Sequence, residues 1–228
     1  MFNPERPPEF TTQRWLNSDG KIALKDLRGK VIFVAVAQVT CPGSVKYGLP
    51  QAARIRKSFE AGEVAVIGLN MAFEKFDEQT PDKVQAFLKD QGIEFPFALD
   101  KPDGENLPHT MKDYELQGTP AVLMFDRQGR LRRHYLGAVD DLRLGAEIMG
   151  LLMEDNNSPR DMSIAIESKL HAALTNPHDH DHEHHHEHGE NCGCGHDHAH
   201  DAAQSHGHAQ DNPPHGAAGH VHGPGCKN

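Results

Sequence analysis

The chain has 228 residues, of which 23 are Lys or Arg and 33 are Asp or Glu, so its formal net charge is −10. Residues 1–174 carry a net charge of −3 (22 basic against 25 acidic residues), and residues 175–228 carry −7 (1 against 8). These charges exclude the basic surface of a nucleic-acid-binding protein, and the longest apolar run, residues 31–37, is far too short to cross a bilayer. We therefore expect neither nucleic acid nor a membrane as a partner.

The two ends of the chain differ in composition from the rest. Residues 175–228 contain 15 of the 18 histidines and no Leu, Ile, Met, Phe, Trp or Tyr. Such a segment cannot bury enough apolar surface to offset the entropy lost on ordering, which predicts a disordered tail. The N-terminal segment, residues 1–14, has prolines and mixed charges, and no basic stretch followed by an apolar one, so no signal peptide is predicted. We expect a cytoplasmic location, in which cysteines stay reduced or bind metal.

The first predicted elements are two buried strands with a helix between them. The continuous apolar run at residues 31–38 is rich in β-branched residues and predicts a central strand buried on both faces. From Val45 to Phe59 apolar residues recur at helical spacing, and Pro50 is expected to kink this helix. A second apolar run, residues 64–71, predicts another buried strand.

A second helix and three further strands are predicted in the middle of the chain. The Thr-Pro pair at residues 80–81 is typical of an N-cap followed by the first helical residue, and Gly92 is a natural C-terminal stop. A short strand follows at residues 95–100. The segments 121–126 and 131–137 flank a turn-forming stretch and predict an antiparallel hairpin.

Two helices are predicted after the hairpin. The first has Leu142, Ala146, Met149 and Met153 on one face, and the second begins at a predicted capping box in residues 158–161. The order strand, helix, strand, helix, strand, hairpin, helix predicts an α/β sandwich of three layers with a mixed central sheet.

Two short motifs indicate the family. Cys41 stands where the first buried strand meets a helix, and the Thr119–Pro120 pair enters a strand further along the chain. With their flanking segments, DLRGKVIFVAVAQVTCP and LQGTPAVLMFDRQGRLRRHYLG, they resemble the thioredoxin-like superfamily, in particular its thiol-disulfide reductase and peroxiredoxin-related branch (TlpA-like and AhpC/TSA-like domains). The resemblance implies a thioredoxin-like domain at residues 15–155, followed by a C-terminal helix at 156–174 and the tail.

The resemblance implies a role for four residues. Cys41 matches the nucleophilic cysteine of the family's Cys-x-x-Cys motif, whereas Ser44 matches the resolving cysteine and lacks its sulfur. Thr119–Pro120 matches the pair whose proline is cis in the family and lies beside the active cysteine. Thr40 stands where the family usually has tryptophan, and Ala35 stands where thioredoxins have a buried acid.

The position of Cys41 predicts a reactive thiolate. Unpaired N–H groups at a helix start and a donor hydroxyl on Ser44 would lower the pKa of the thiol, which could then attack a protein or small-molecule disulfide or a peroxide. A lone thiolate needs a second thiol to leave a mixed disulfide. Glutathione or a thioredoxin could supply it, or Cys192 or Cys194 of the tail. The contrasting interpretation is an inert cysteine on a redox-inactive scaffold.

The tail predicts a second chemistry, the binding of divalent transition metals. Neutral imidazole suits nickel, zinc, copper and cobalt, and the neighbouring carboxylates lower the electrostatic cost of collecting cations. The tail is similar to those of a prolyl isomerase that serves nickel supply and of nickel-handling GTPases, while a pH-sensitive linker is the simpler interpretation. The predicted ligands are all the histidines and cysteines of the tail: His178, His180, His182, His184, His185, His186, His188, Cys192, Cys194, His196, His198, His200, His206, His208, His215, His220, His222 and Cys226.

The sequence thus leaves two functions open. In the first, the chain is a thiol oxidoreductase in which Cys41 is the attacking sulfur. In the second, it is a non-catalytic metal storage or delivery protein whose thioredoxin-like body only docks to a partner. Neither function requires an organic cofactor.

Overall fold

A computed structural model describes residues 2–104, 107–155 and 158–174. These residues belong to one compact unit. The tail at residues 175–228, for which disorder is predicted, lies outside the described residues. None of the described helices has the length and apolar character that crossing a bilayer requires.

One sheet contains all the strands of the described residues. These are β1 (Thr12–Leu16), β2 (Val31–Ala37), β3 (Val64–Asn70), β4 (Phe97–Asp100), β5 (Ala121–Phe125) and β6 (Leu131–Leu136). Their order in the sheet is β1-β4-β3-β2-β5-β6. β2, β3 and β4 run parallel to one another, whereas β1, β5 and β6 pair with their neighbours in the antiparallel sense. The sheet is therefore mixed, as the sequence predicts.

Helices cover both faces of the sheet. The helices of the described residues are α1 (Leu49–Ser58), α2 (Pro81–Asp90), α3 (His109–Asp113), α4 (Asp141–Leu152) and α5 (Arg160–Ala173). Apolar residues of α1, α2 and α4 pack on one face, and those of α3 and of the N-terminal segment pack on the other. α5 packs against α4. This arrangement confirms the predicted three-layer α/β sandwich.

The position of β2 in the middle of the sheet accounts for its continuous apolar sequence. Phe33 and Ala35 point into the core beneath α1 and α4, whereas Ile32 and Val34 point into the opposite core. Because both faces of β2 are covered, all seven of its residues are buried. A continuous apolar run is the pattern that such a strand requires.

The ends of four strands meet at one edge of the sheet. The parallel strands β2, β3 and β4 end there, so that β2 leads into Cys41 while β3 ends at Asn70 and β4 at Asp100. β5 is antiparallel to β2 and begins at this edge with Ala121, directly after Pro120. The topology thus brings Cys41 and Pro120 to the same place.

The structure contains two elements, β1 and α3, that the sequence does not predict. β1 is an edge strand that pairs only with β4, and its sequence TQRWL lacks a regular apolar alternation. The sheet consequently begins at Thr12, inside the segment that the sequence assigns to the N-terminal residues 1–14. α3 has only five residues, which is too short for a helical apolar period to appear.

The apolar face predicted for α4 is wrong. Leu142 and Met153 are largely exposed, and Met149 is half exposed, whereas Leu144 and Ile148 are fully buried. The helix carries two apolar stripes, and the stripe with Leu144, Ile148 and Leu151 packs on the sheet. The other stripe remains at the surface of the described residues.

α5 is held to the body mainly by charged groups. The predicted capping box does not form, because Pro159 precedes the first helical residue and the buried hydroxyl of Ser158 has no hydrogen-bond partner. Instead the Arg132 guanidinium donates to both carboxylate oxygens of Glu154, at 2.7 and 2.9 Å, and to Glu167 of α5 at 3.2 Å. These contacts pair buried charges and fix α5 against β6.

Candidate active site

Cys41 is the first residue after the loop that follows β2. Its carbonyl oxygen accepts a hydrogen bond from the Val45 N–H at 3.0 Å, so the cysteine stands at the start of a helical segment. Among the described residues Cys41 is the sole cysteine, and its side chain is partly exposed. The sulfur is therefore reachable from solvent while the helix start supplies N–H groups to it.

The helix after Cys41 changes its geometry before α1 begins. Residues Ser44–Gly48 form a π-helical segment that leads directly into α1 at Leu49. Pro50 lies in the first turn of α1 and has no N–H to donate to the preceding turn. The irregularity expected at Pro50 is therefore a change from π-helical to α-helical geometry.

Pro120 lies directly against this helix start. The Thr119–Pro120 peptide bond is cis, as the family resemblance implies, and the Cys41 thiol donates a hydrogen bond to the Thr119 carbonyl oxygen at 3.4 Å. A Cβ atom at Gly43 would lie 3.0 Å from Pro120 Cδ, and one at Gly48 would lie 2.9 Å from Pro120 Cβ. The two glycines thus allow the proline ring to approach the helix.

The side chain of Ser44 is held by a backbone N–H group of the loop that precedes the helix. This side chain is fully buried, and its Oγ accepts a hydrogen bond from the Gln38 N–H at 3.2 Å. A hydrogen bond from the Ser44 hydroxyl is one of the causes that lower the pKa of the Cys41 thiol. Because Ser44 has no sulfur, it can stabilise a thiolate but cannot resolve a mixed disulfide.

The surroundings of Cys41 lower the pKa of its thiol. Partial burial raises the pKa, but hydrogen bonds from the Ser44 N–H and hydroxyl, from the Thr119 side chain and from the Gly43 N–H lower it by more. All of these donors favour the charged thiolate over the neutral thiol. The direction agrees with the expectation from the helix start.

Apolar side chains flank Pro120 at the surface. Leu136, at the end of β6, is 57% exposed, and a Cβ atom at Gly118 would lie 3.7 Å from its Cδ1. Tyr47, in the π-helical segment, is 50% exposed. The two elements that contact Pro120, the π-helical segment and the end of β6, thus each carry an exposed apolar side chain.

Three buried amide side chains beside the site are not predicted by the sequence analysis. Gln38, Asn70 and Gln79 are at most 6% exposed and are joined by hydrogen bonds. Glutamine and asparagine are normally surface residues, so their presence in a sequence does not indicate that they are buried. The sole indication is the position of Gln38 and Asn70 next to the ends of apolar strands.

The structure does not test the predicted metal ligands. The predicted histidine and cysteine ligands of the tail all lie outside the described residues. Within residues 2–104, 107–155 and 158–174, no group of three or more His, Cys, Asp or Glu side chains is arranged to hold a metal ion. Metal binding by the tail therefore stays a prediction.

The sheet order, the thiol at a helix start and the cis-proline beside it define a thiol redox protein of the thioredoxin-like fold. The sequence model of the Redoxin family matches residues 5–146, and the chain belongs to this family. Thiol-disulfide redox chemistry is the function that this membership supports at the level of the family. α5 and the tail extend beyond the matched residues.

Solved structures agree with this assignment. A protein of the thioredoxin-like superfamily is 42% identical with a TM-score of 0.65, and the match covers 68% of this chain and 99% of that one. A thiol-disulfide isomerase from Corynebacterium glutamicum is 43% identical with a TM-score of 0.63, covering 66% and 97%. A thioredoxin-like protein in its oxidised form, 23% identical with a TM-score of 0.55 and coverage of 66% and 97%, shares the fold. No curated protein sequence matches the chain significantly.

Proposed function

We propose that the protein is a single-cysteine thiol-disulfide oxidoreductase of the cytoplasm. The Cys41 thiolate attacks one sulfur of a substrate disulfide, the substrate S–S bond breaks, and the other substrate sulfur leaves as a thiolate. The product is a mixed disulfide between Cys41 and the substrate. The observation that carries the proposal is a partly exposed sulfur at a helix start that lies 3.4 Å from the Thr119 carbonyl oxygen, directly before the cis-Pro120.

The mixed disulfide requires a thiol from outside the described body. An external thiolate, from glutathione or a thioredoxin, attacks the sulfur of Cys41 and releases the substrate sulfur as a thiolate, so that the external sulfur is now bonded to Cys41. A second external thiolate attacks that external sulfur, frees the Cys41 thiolate and leaves the two external sulfurs joined in a disulfide. Cys192 and Cys194 of the tail are the alternative source that the sequence predicts. A protein disulfide is favoured over a peroxide as substrate by the apolar groups beside Pro120 and by the 43% identity to a thiol-disulfide isomerase.

The proposal is tested by trapping the mixed disulfide. The reduced full chain is incubated with a short peptide disulfide, quenched with acid and analysed by mass spectrometry of the intact and digested protein. One peptide is expected to be attached to Cys41, and the variant Cys41→Ser should show no adduct in the body. A wild-type protein with adducts on the tail cysteines alone, or with none, would contradict the proposal.

We further propose that the tail binds divalent nickel, zinc, copper or cobalt, with more than one ion per chain. The support is the density of imidazole, carboxylate and thiolate groups in residues 178–226. Under the second candidate function, metal storage or delivery, this binding would be the main activity and the body would serve as a docking scaffold.

Calorimetric titration with nickel separates the tail from the body. The full chain is expected to bind several ions, whereas a chain that ends at Leu174 should bind none at the same concentration. The Cys41→Ser variant serves as the control, because its tail is unchanged and its stoichiometry should equal that of the wild type. Equal stoichiometry in the full and shortened chains would refute the metal-binding proposal.

A further inference from the structure

Gln79 is a buried side chain in an otherwise exposed segment. It follows the short 3₁₀ helix Phe76–Glu78, which has no buried residue, and precedes the exposed Thr80. Its own side chain is only 6% exposed, and its Nε2 donates to the Glu74 carbonyl oxygen at 2.9 Å. A polar side chain is buried in this way only when its hydrogen bonds are satisfied, so its partners define its role.

The carboxamide of Gln79 bridges the side chains of Gln38 and Asn70, which lie beside the loop that leads to Cys41. Its Nε2 donates to Gln38 Oε1 at 2.8 Å, and its Oε1 accepts from Asn70 Nδ2 at 3.1 Å. Asn70 Oδ1 in turn accepts from the Val39 N–H at 3.1 Å. Gln79 therefore fixes the orientation of the Gln38 amide, whose oxygen and nitrogen positions would otherwise be free to exchange. It also completes the hydrogen bonding of Asn70, whose Oδ1 is already held by the Val39 N–H.

The backbone of Gln38 connects its fixed side chain to the nucleophile Cys41 through two hydrogen bonds. Its N–H donates to Ser44 Oγ at 3.2 Å, and its carbonyl oxygen accepts from the Cys41 N–H at 3.0 Å. The first bond occupies an acceptor position of the Ser44 hydroxyl, so that the hydroxyl proton is left to face the sulfur. The second bond fixes the backbone of Cys41 itself.

We propose that Gln79 is a positioning residue for Cys41: by bridging Gln38 and Asn70 it holds the loop of residues 38–41 in the geometry in which Ser44 donates to the sulfur. Gln79 does not touch the sulfur and acts through its two amide partners. The inference rests on the proposed thiolate chemistry of Cys41 and names a residue remote in sequence on which that chemistry depends.

The test is the pH dependence of Cys41 alkylation in Gln79→Leu, followed by mass spectrometry of the peptide that contains Cys41. Loss of the bridge is expected to raise the pKa of Cys41 and to slow alkylation at neutral pH by about three- to ten-fold, as befits the partial loss of donors to a thiolate. The control is Gln91→Leu, since Gln91 is exposed and its Nε2 bonds only Asp90. This control should leave the pKa of Cys41 unchanged.

A second variant separates positioning from folding. Gln79→Met keeps the length of the side chain and adds no charge but loses the donor to Gln38, so a raised pKa in this variant, with unchanged thermal unfolding, supports the inference even if Gln79→Leu unfolds. The double variant Gln79→Met with Gln38→Leu should raise the pKa no further than Gln79→Met does. An unchanged pKa in a folded Gln79 variant overturns the inference while the proposed function stands. A wild-type Cys41 that forms no mixed disulfide overturns the proposed function itself.

Discussion

Ser44→Cys is expected to shorten the lifetime of the Cys41 mixed disulfide by a hundred-fold or more, on the order of what an intramolecular thiol gains over an external one. Ser44 stands three residues after Cys41 at the same helix start, and hydrogen bonds from Ser44 lower the pKa of the Cys41 thiol. A thiolate at this position would attack the Cys41 sulfur, break its bond to the substrate, release the substrate as a thiolate and leave the two protein sulfurs joined. The protein would then turn over with an external dithiol as the reductant.

The measurement is decay of the peptide adduct in the absence of added thiol. It is made in a background in which Cys192, Cys194 and Cys226 are replaced by serine, so that the tail cannot resolve the adduct. Ser44→Ala is the matched control, because it removes the hydroxyl without supplying sulfur and should form the adduct slowly and keep it. A Ser44→Cys adduct that persists as long as the wild-type adduct would show that position 44 is not placed for resolution.

Gly68→Ala is expected to cost about 3 kcal/mol of stability or more, which is a large share of the total for a domain of this size. Gly68 in β3 pairs with Phe97 in β4, and the fully buried Phe97 ring lies across the glycine. A Cβ atom at position 68 would lie 2.0 Å from Phe97 Cδ2 and 2.2 Å from Cε2. Both the Phe97 ring and the part of β3 that contains Gly68 are buried, so the clash can be relieved only by displacing the surrounding core.

Urea denaturation followed by circular dichroism tests this cost. The double variant Gly68→Ala with Phe97→Leu should recover part of the stability, because the smaller side chain leaves space for the new methyl group. Gly145→Ala is the control: apart from its chain neighbours and the backbone of its own helix, no atom of the described residues lies within 4 Å of its Cβ position, and alanine in a helix should add about 0.5–1 kcal/mol. A Gly68→Ala protein as stable as the wild type would contradict the packing described.

The sequence predicts correctly those elements in which burial of apolar side chains alone determines the pattern of residues. The apolar runs of β2 and β3 follow from burial on both faces, and the bounds 31–38 and 64–71 agree with Val31–Ala37 and Val64–Asn70. The face of α4 is predicted wrongly because burial there also includes a charged group. Glu147 is 2% exposed, and it accepts a hydrogen bond from the Tyr135 hydroxyl at 2.6 Å. Hydrophobicity alone assigns such a residue to the solvent side.

The active site is predictable only in part, because some of its polar residues depend on partners that are distant in sequence. Cys41 and Pro120 are found through a family resemblance, and the meeting of strand ends at one edge of the sheet explains why they lie together. Gln79 is not found, because its role depends on a bond to Gln38 that is formed only by the fold. Polar residues whose partners are distant in sequence leave no local pattern to read.

The most direct test of the account is the pH dependence of alkylation of Cys41 in the reduced wild-type chain. Iodoacetamide labelling, quantified by mass spectrometry of the peptide that contains Cys41, separates this thiol from the three tail cysteines. We expect a midpoint clearly below the value of about 8.5 for a free cysteine, because Ser44 and the helix start stabilise the thiolate. A midpoint at or above that value would contradict the proposed stabilisation of the Cys41 thiolate.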